Sequence, residues 1–291
     1  MEHKLSIQCP NFEIAAMVEE LFIGLGYGTG FEDADYKQEN WIVNVFFKEK
    51  PDMNAMNARV LAIKEAFGDV FDITLQQIDS IDWVAQNQKS FKPLDVAEFF
   101  LYQSLYTGEI PKNKTPILVE ATRAFGTGSH GTTAGCLTAI SDLKKSGPEF
   151  KNIIDIGTGT GILAIACRYV FADSTILATD IDIEAVEVTH ETLKANSIDD
   201  ISALHAEGVH SDSIVGQAPY DLIVANILCE PLVNMAPEIY VLQKIGGVLI
   251  VSGMLDEQEK EMRTAYEPLG YALANQYPID HWQTLVFKKV I

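Results

Sequence analysis

Apolar positions alternate in "KLSIQC" at the start of the chain, then recur at helical spacing through "FEIAAMVEELFIGLG", with Asn11 as N-cap and Gly24 or Gly26 as the stop. Two more strand-like runs, "GTGFEDADY" and "NWIVNVFFKE", flank a polar turn near residues 37–40, and the helical "MNAMNARVLAIKEAFG" and the strand "DITLQQID" follow. The order βαββαβ predicts a ferredoxin-like α+β domain over residues 1–79. It carries no catalytic constellation and reads as a module that binds or positions a partner. "SIDWVAQNQKSFKPL" then breaks the rhythm, and residues 80–91 are expected to be a linker. Beyond it come the strand-like pieces "LDVAEFFLYQ" and "TPILVEA", separated by the turn-rich "TGEIPKNK".

From Gly131 the chain alternates helix and strand to its end, which predicts a parallel sheet with helices on both faces in a domain over residues 92–291. The strands fall at "NIIDIG", "TILATD", "ISALHAE", "DLIVAN" and "GGVLIVSG", with "YALANQYP" and "WQTLVFKK" as a closing antiparallel pair across a short link.

Within this alternation, "IIDIGTGTGILAIA" has the layout of a buried strand, a glycine turn and a helix, where a ligand can approach bare backbone at a helix N-terminus. The glycines Gly157, Gly159 and Gly161 follow GxGxG; the third glycine of a nicotinamide-dinucleotide site is replaced by Ile162, and no GK[ST] follows. Asp180 ends the next strand at the distance where a carboxylate accepts hydrogen bonds from ribose hydroxyls; its alternative role is to cap the following helix, for which Asp182 is the better placed acid. Ile181 can pack on an adenine face. An adenosine ligand without a pyrophosphate points to S-adenosylmethionine, with Asp155 near its amino-acid part or, alternatively, bonded to loop N–H groups as a structural acid. Asn226, leaving the strand of "DLIVANILCEPL", offers an amide oxygen that can accept a hydrogen bond from an amine, although a strand-end Asn also serves turns for backbone reasons. Gly126, Gly128 and Gly131 lie in a lid-like loop, and Thr132 or Thr133 can cap the helix after it. His130 is a lone histidine among small residues, with positioning or solvent exposure expected ahead of base catalysis.

Charge narrows the partners. With 41 Asp+Glu against 21 Lys+Arg the formal charge is −20, a field that repels phosphate backbones and attracts basic partners. Residues 1–79 hold 14 acids against 6 bases and residues 92–291 hold 26 against 14, so neither part offers a basic face by composition. Cys9, Cys136, Cys167 and Cys229 are widely spaced, suggesting neither a zinc site nor a disulfide framework, and no metal is expected. The opening "MEHKLSIQCPNFE" has no basic-then-apolar pattern and no apolar run approaches a membrane span, so a cytoplasmic protein that does not engage membrane is expected.

"ATRAFGTGSHGTTAGCL", "DIGTGTGILAIA", "ATDIDIEAV", "VANILCEPL" and "GGVLIVSGML", in that order after "DWVAQNQKSFKPL", resemble the bacterial ribosomal protein L11 methyltransferase family. The resemblance runs from about residue 82 to the C-terminus; the first eighty residues share only predicted topology. It implies a Rossmann-like class I methyltransferase fold with a mostly parallel seven-stranded sheet, joined to the N-terminal domain as substrate-recognition module. It also implies methyl transfer from S-adenosylmethionine, leaving S-adenosylhomocysteine, to the N-terminal α-amine and lysine ε-amines of ribosomal protein L11. Carried onto matching positions, cofactor contacts fall to Thr133, Gly157, Asp180 and Asn226, with the loop from Phe125 to His130 folding over the cofactor; Gly159, Asp155 and Ile181 join them from the residue reading. The family usually has Thr-His-Pro-Thr-Thr where this chain has Ser129, His130, Gly131, Thr132 and Thr133, so the loop loses the rigidity of proline. Two alternatives stay open: a methyltransferase of another protein or a small molecule, and a cofactor-binding regulator without turnover.

Overall fold

The computed structural model describes residues 2–11, 28–33, 41–52, 73–78, 93–120, 131–147 and 149–291, together with residues 14, 15, 18, 19, 22, 56, 59 and 61. The chain divides into two compact units, Met1–Trp83 and Val84–Ile291. The expected linker, residues 80–91, lies outside the described residues.

The first unit is built on four antiparallel strands, β1 (Glu2–Cys9), β2 (Gly28–Asp33), β3 (Trp41–Phe47) and β4 (Ile73–Ile78), in the order β2-β3-β1-β4. Alternation decides its core: Leu5, Ile7 and Cys9 of β1 and Val43, Val45 and Phe47 of β3 face Ala15, Val18, Phe22 and Met56. Residues 14, 15, 18 and 19 are helical between β1 and β2, and residues 56, 59 and 61 between β3 and β4, which completes the ferredoxin-like order βαββαβ. Asn11 caps the first of these helices, its Oδ1 accepting from the Ile14 N–H at 2.9 Å.

The second unit opens with a small sheet, β5 (Leu94–Val96), β6 (Phe99–Tyr102) and β7 (Thr115–Leu118). The run "LDVAEFFLYQ", expected as one piece, is a tight antiparallel hairpin: Ala97 turns the chain with φ +49° and β6 pairs back on β5. Two tethers hold this sheet down. Ser141 Oγ donates to Glu98 at 2.9 Å, and the Asn196 amide closes a pair of hydrogen bonds with the Leu118 main chain at 2.8 and 2.9 Å.

Seven strands follow: β8 (Asn152–Ile156), β9 (Thr175–Asp180), β10 (Ile201–His205), β11 (Tyr220–Asn226), β12 (Gln243–Leu255), β13 (Tyr271–Ile279) and β14 (Trp282–Lys289). Their order is β10-β9-β8-β11-β12-β14-β13; β14 is antiparallel to both neighbours, and the pairs from β10 to β12 are parallel. On the central strands adjacent side chains enter opposite cores, as a sheet covered on both faces requires. Ile153, Ile176, Leu222, Val224 and Ile250 share one core with the helices α1 (Gly131–Ser146), α2 (Ile162–Val170) and α3 (Ile183–Ala195). Ile154, Leu177, Ile223, Leu249 and Val251 share the other with α5 (Cys229–Asn234), α6 (Ala236–Leu242) and α7 (Glu259–Tyr266), α4 being the short Asp212–Val215. Strand order reverses between β8 and β11, so the crevice at the carboxyl ends of these two strands is where such a sheet takes a ligand.

Candidate active site at the switch point

The loop after β8 is pinned from the side of β9. Main-chain N–H groups of Gly157 and Thr158 both donate to the Thr179 carbonyl, at 2.8 and 2.9 Å. The Gly159 N–H donates to Asp180 Oδ2 at 2.9 Å, and Thr189 Oγ1 donates to the Gly159 carbonyl at 2.9 Å. Gly157, Gly159 and Gly161 have φ of +70°, +57° and +82°, and Gly161 then caps α2. Part of the need for glycine is internal. A Cβ on Gly157 would overlap Cγ2 of Ile227, and one on Gly161 would lie 3.1 Å from Thr189 Cγ2.

Asp155, the fourth residue of β8, is 1% exposed. Its Oδ2 accepts from the Thr158 hydroxyl at 2.7 Å and the Ala164 N–H at 3.1 Å, while Oδ1 is buried without a hydrogen-bond partner. Burial pushes this carboxyl up to about 7, against the lowering effect of its two donors. Asp180 accepts once on each oxygen, from Gly159 and from the Asp182 N–H at 3.0 Å, which leaves acceptor capacity on both. Capping belongs to Asp182, whose side chain accepts from the Glu184 N–H at 2.9 Å at the start of α3. Ile181 between them is 64% exposed. The ring of His205, a residue the sequence did not single out, contacts the Ile181 carbonyl at 2.9 Å.

Asn226 ends β11 in register with Ser252 of β12, and its side-chain amide has no hydrogen-bond partner among the described residues. Ser252 is itself anchored, 2.7 Å from Thr284 Oγ1 and 3.1 Å from the Gln283 carbonyl, and its Oγ lies 3.4 Å from the Thr132 carbonyl. That last contact brings the first turn of α1 to the same edge. Thr132 and Thr133 are buried inside this turn because α1 begins at Gly131, which corrects their expected placement at the cap. Phe125 and His130 lie outside the described residues.

One edge of the sheet therefore gathers Asp155, Gly157, Gly159, Asp180, Ile181 and Asn226, with Thr133 on the adjoining helix turn. Two residues absent from the sequence reading, Ile227 and Gly253, also converge here. Their contacts cross strands, so no local pattern marked them; the positive φ of Gly253, +91°, has only "SGML" as its trace. The donor set suits an adenosyl amino acid. A buried carboxylate oxygen without a donor faces no competing bond, spare acceptors stand at Asp180, and an exposed apolar side chain stands beside it. No group of three or more His, Cys, Asp or Glu able to hold a metal occurs among the described residues.

This strand order, with its reversed seventh strand and a glycine loop and acid at the switch point, defines a class I S-adenosylmethionine-dependent methyltransferase. The family described as ribosomal protein L11 methyltransferase (PrmA) matches residues 19–290, and the chain belongs to it. Curated relatives called ribosomal protein L11 methyltransferase include that of Rhodopseudomonas palustris (strain BisB5), 34% identical over 272 residues and 90% of each chain. That of Agrobacterium fabrum (strain C58 / ATCC 33970) is 33% identical over 278 residues, covering 95% of this chain and 94% of the relative. Among solved structures, the ribosomal protein L11 methylase of Lactobacillus delbrueckii subsp. bulgaricus superposes with a TM-score of 0.61 at 25% identity, over 69% of this chain and all of that one.

Proposed function

We propose that this methyltransferase modifies ribosomal protein L11 in the cytoplasm, at its N-terminal α-amine and at lysine ε-amines. The observation that carries the mechanism is the Asn226 amide, without a partner among the described residues, at the strand end across the switch point from the glycine loop. Bound S-adenosylmethionine would supply an electrophilic methyl group. Asp155 would accept from its ammonium through the unpaired Oδ1, Asp180 from the ribose hydroxyls, and Ile181 would cover the adenine, with Gly157, Gly159 and Thr133 lining the remainder. Asn226 Oδ1 would accept an N–H of the substrate amine and so aim its lone pair.

An α-amine near pKa ~8 is partly neutral in the cytoplasm, whereas a lysine near ~10.4 must first lose its proton. Exposed apolar surface helps here. Leu228, 72% exposed two residues after Asn226, would desolvate an incoming ammonium and lower its pKa. The proton would leave to water, and catalysis would rest on alignment. The first unit would hold the basic substrate, and the linker would let one site reach several amines.

Intact mass of purified ribosomal protein L11, incubated with the enzyme and S-adenosylmethionine, tests this reading. Growth in steps of one methyl group, mapped by peptide mass to the N-terminus and lysines, is expected. An unchanged mass from an enzyme that binds S-adenosylhomocysteine would instead favour a regulator without turnover or a different substrate.

A further inference from the structure

We infer that Ile227 is the positioning residue for Asn226, wedged between two glycines that lack side chains, Gly157 directly after β8 and Gly253 in β12. This rests on the reading that Asn226 orients the substrate amine.

Among the described residues no side chain bonds the Asn226 amide, whereas the main chain around it is held on both sides. On one side it pairs with Ser252, which is locked to β14 through Thr284 and Gln283. On the other, the chain leaves the sheet through Ile227 and Leu228 and turns into α5. Ile227 is gripped from both directions. Toward β8, its Cγ2 occupies the space a Cβ of Gly157 would need. Toward β12, its main chain lies so close to Gly253 that a Cβ there would overlap the Ile227 carbonyl oxygen and stand 2.7 Å from its carbonyl carbon and 3.1 Å from its nitrogen. Gly157 and Gly253 both hold positive φ, +70° and +91°, where L side chains are strained. The loop after β8 and the strand β12 thus both give up a side chain against the same residue, the one directly following Asn226. A side chain seated on one bare Cα, with its own peptide pressed against the other, cannot slide along the sheet or rotate about the strand axis without collision. Neither can the peptide that carries Asn226.

The wedge explains the isoleucine of "NIL" at this strand end without giving Ile227 any contact with a reacting atom. A β-branched residue is required because its γ-carbon reaches Gly157, so Val satisfies the geometry and Ala does not.

The test uses the full chain. Selective labelling with 15N-asparagine, in protein without added donor or product, reads the Asn226 side-chain amide, identified as the resonance lost in Asn226→Ala. Ile227→Ala is expected to move or broaden that resonance and to lower kcat about tenfold or more, as an ångström-scale misplacement does. S-adenosylhomocysteine affinity should stay within about threefold, a split that loss of a general packing contact would not produce. Ile227→Val should restore the resonance position and the parental kcat. Gly253→Ala, which pushes on the same peptide from the opposite strand, gives a second route should Ile227→Ala fail to fold. An unmoved Asn226 resonance in either folded variant, or a moved one with parental kcat, overturns the inference. Loss of kcat in Asn226→Ala is the separate check on Asn226 itself. Were that variant fully active, the orienting role would fall, while the resonance would still decide whether Ile227 sets the amide.

Discussion

Asp155 shows how one buried group ties stability to pH. Its folded value near 7 stands above the ~3.9 of an unfolded chain. Between those values the folded protein keeps the proton and the unfolded chain has lost it, so this group's contribution to stability is complete below about pH 4 and is lost as pH rises through about 7. The size is on the order of a few kcal/mol. In Asp155→Asn that loss is absent, so its melting temperature relative to the parent should climb from about pH 5 to about pH 8; a constant offset across that range would contradict the assignment. An ammonium placed beside Oδ1 favours the ionised carboxylate, so S-adenosylhomocysteine binding should tighten over the same range, and calorimetry should show a weaker slope in Asp155→Asn. The sequence marked Asp155 as an acid at a strand end and left its role open between loop support and ligand contact. In the structure Oδ2 is taken by the loop and Oδ1 is left over, a division visible only once Thr158 and Ala164 are in place.

Strand, loop and helix read well where their determinants are neighbours in the chain. Asp182 caps α3 as its spacing suggests, which frees Asp180 for another purpose. Asp182→Ala should cost about 1 kcal/mol in thermal unfolding and leave product affinity unchanged. Asp180→Ala should weaken product binding about tenfold or more, since it removes charged acceptors. Equal affinities in the two variants would assign Asp180 to the loop alone, through its bond to the Gly159 N–H. Legibility ended where an element answers to something distant. The hairpin of β5 and β6 hides in a continuous apolar run because its turn needs Ala97 at positive φ, which composition does not reveal. The glycines of the β8 loop read as ligand clearance, yet Gly157 and Gly161 also make room for Ile227 and Thr189, side chains from other elements.

At the scale of the molecule, charge and modularity set the expectations. A chain at −20 should attract a basic substrate across a screened distance, so KM for ribosomal protein L11 should rise as salt increases from about 0.05 to about 0.5 M while S-adenosylhomocysteine affinity changes little. Flat KM over that range would remove electrostatic attraction from the account. Each unit has an apolar core of its own residues, which supports separate folding. Removing residues 1–79 should therefore preserve product binding by calorimetry and abolish methylation of the protein substrate. Full activity of the shortened chain would place recognition elsewhere.

The sequence by itself determined the alternation of the large sheet's strands and helices, the doubly wound class and which residues end the strands at the crevice, because periodicity, caps and turn chemistry are written in adjacent positions and a parallel sheet delivers its strand ends to one edge. Only the tertiary structure decided which acid keeps a spare oxygen, that Thr133 lies inside a helix turn, and that Ile227 sits between Gly157 and Gly253. Those outcomes depend on atoms from strands far apart in the chain meeting at van der Waals distance, and no local pattern encodes such a meeting.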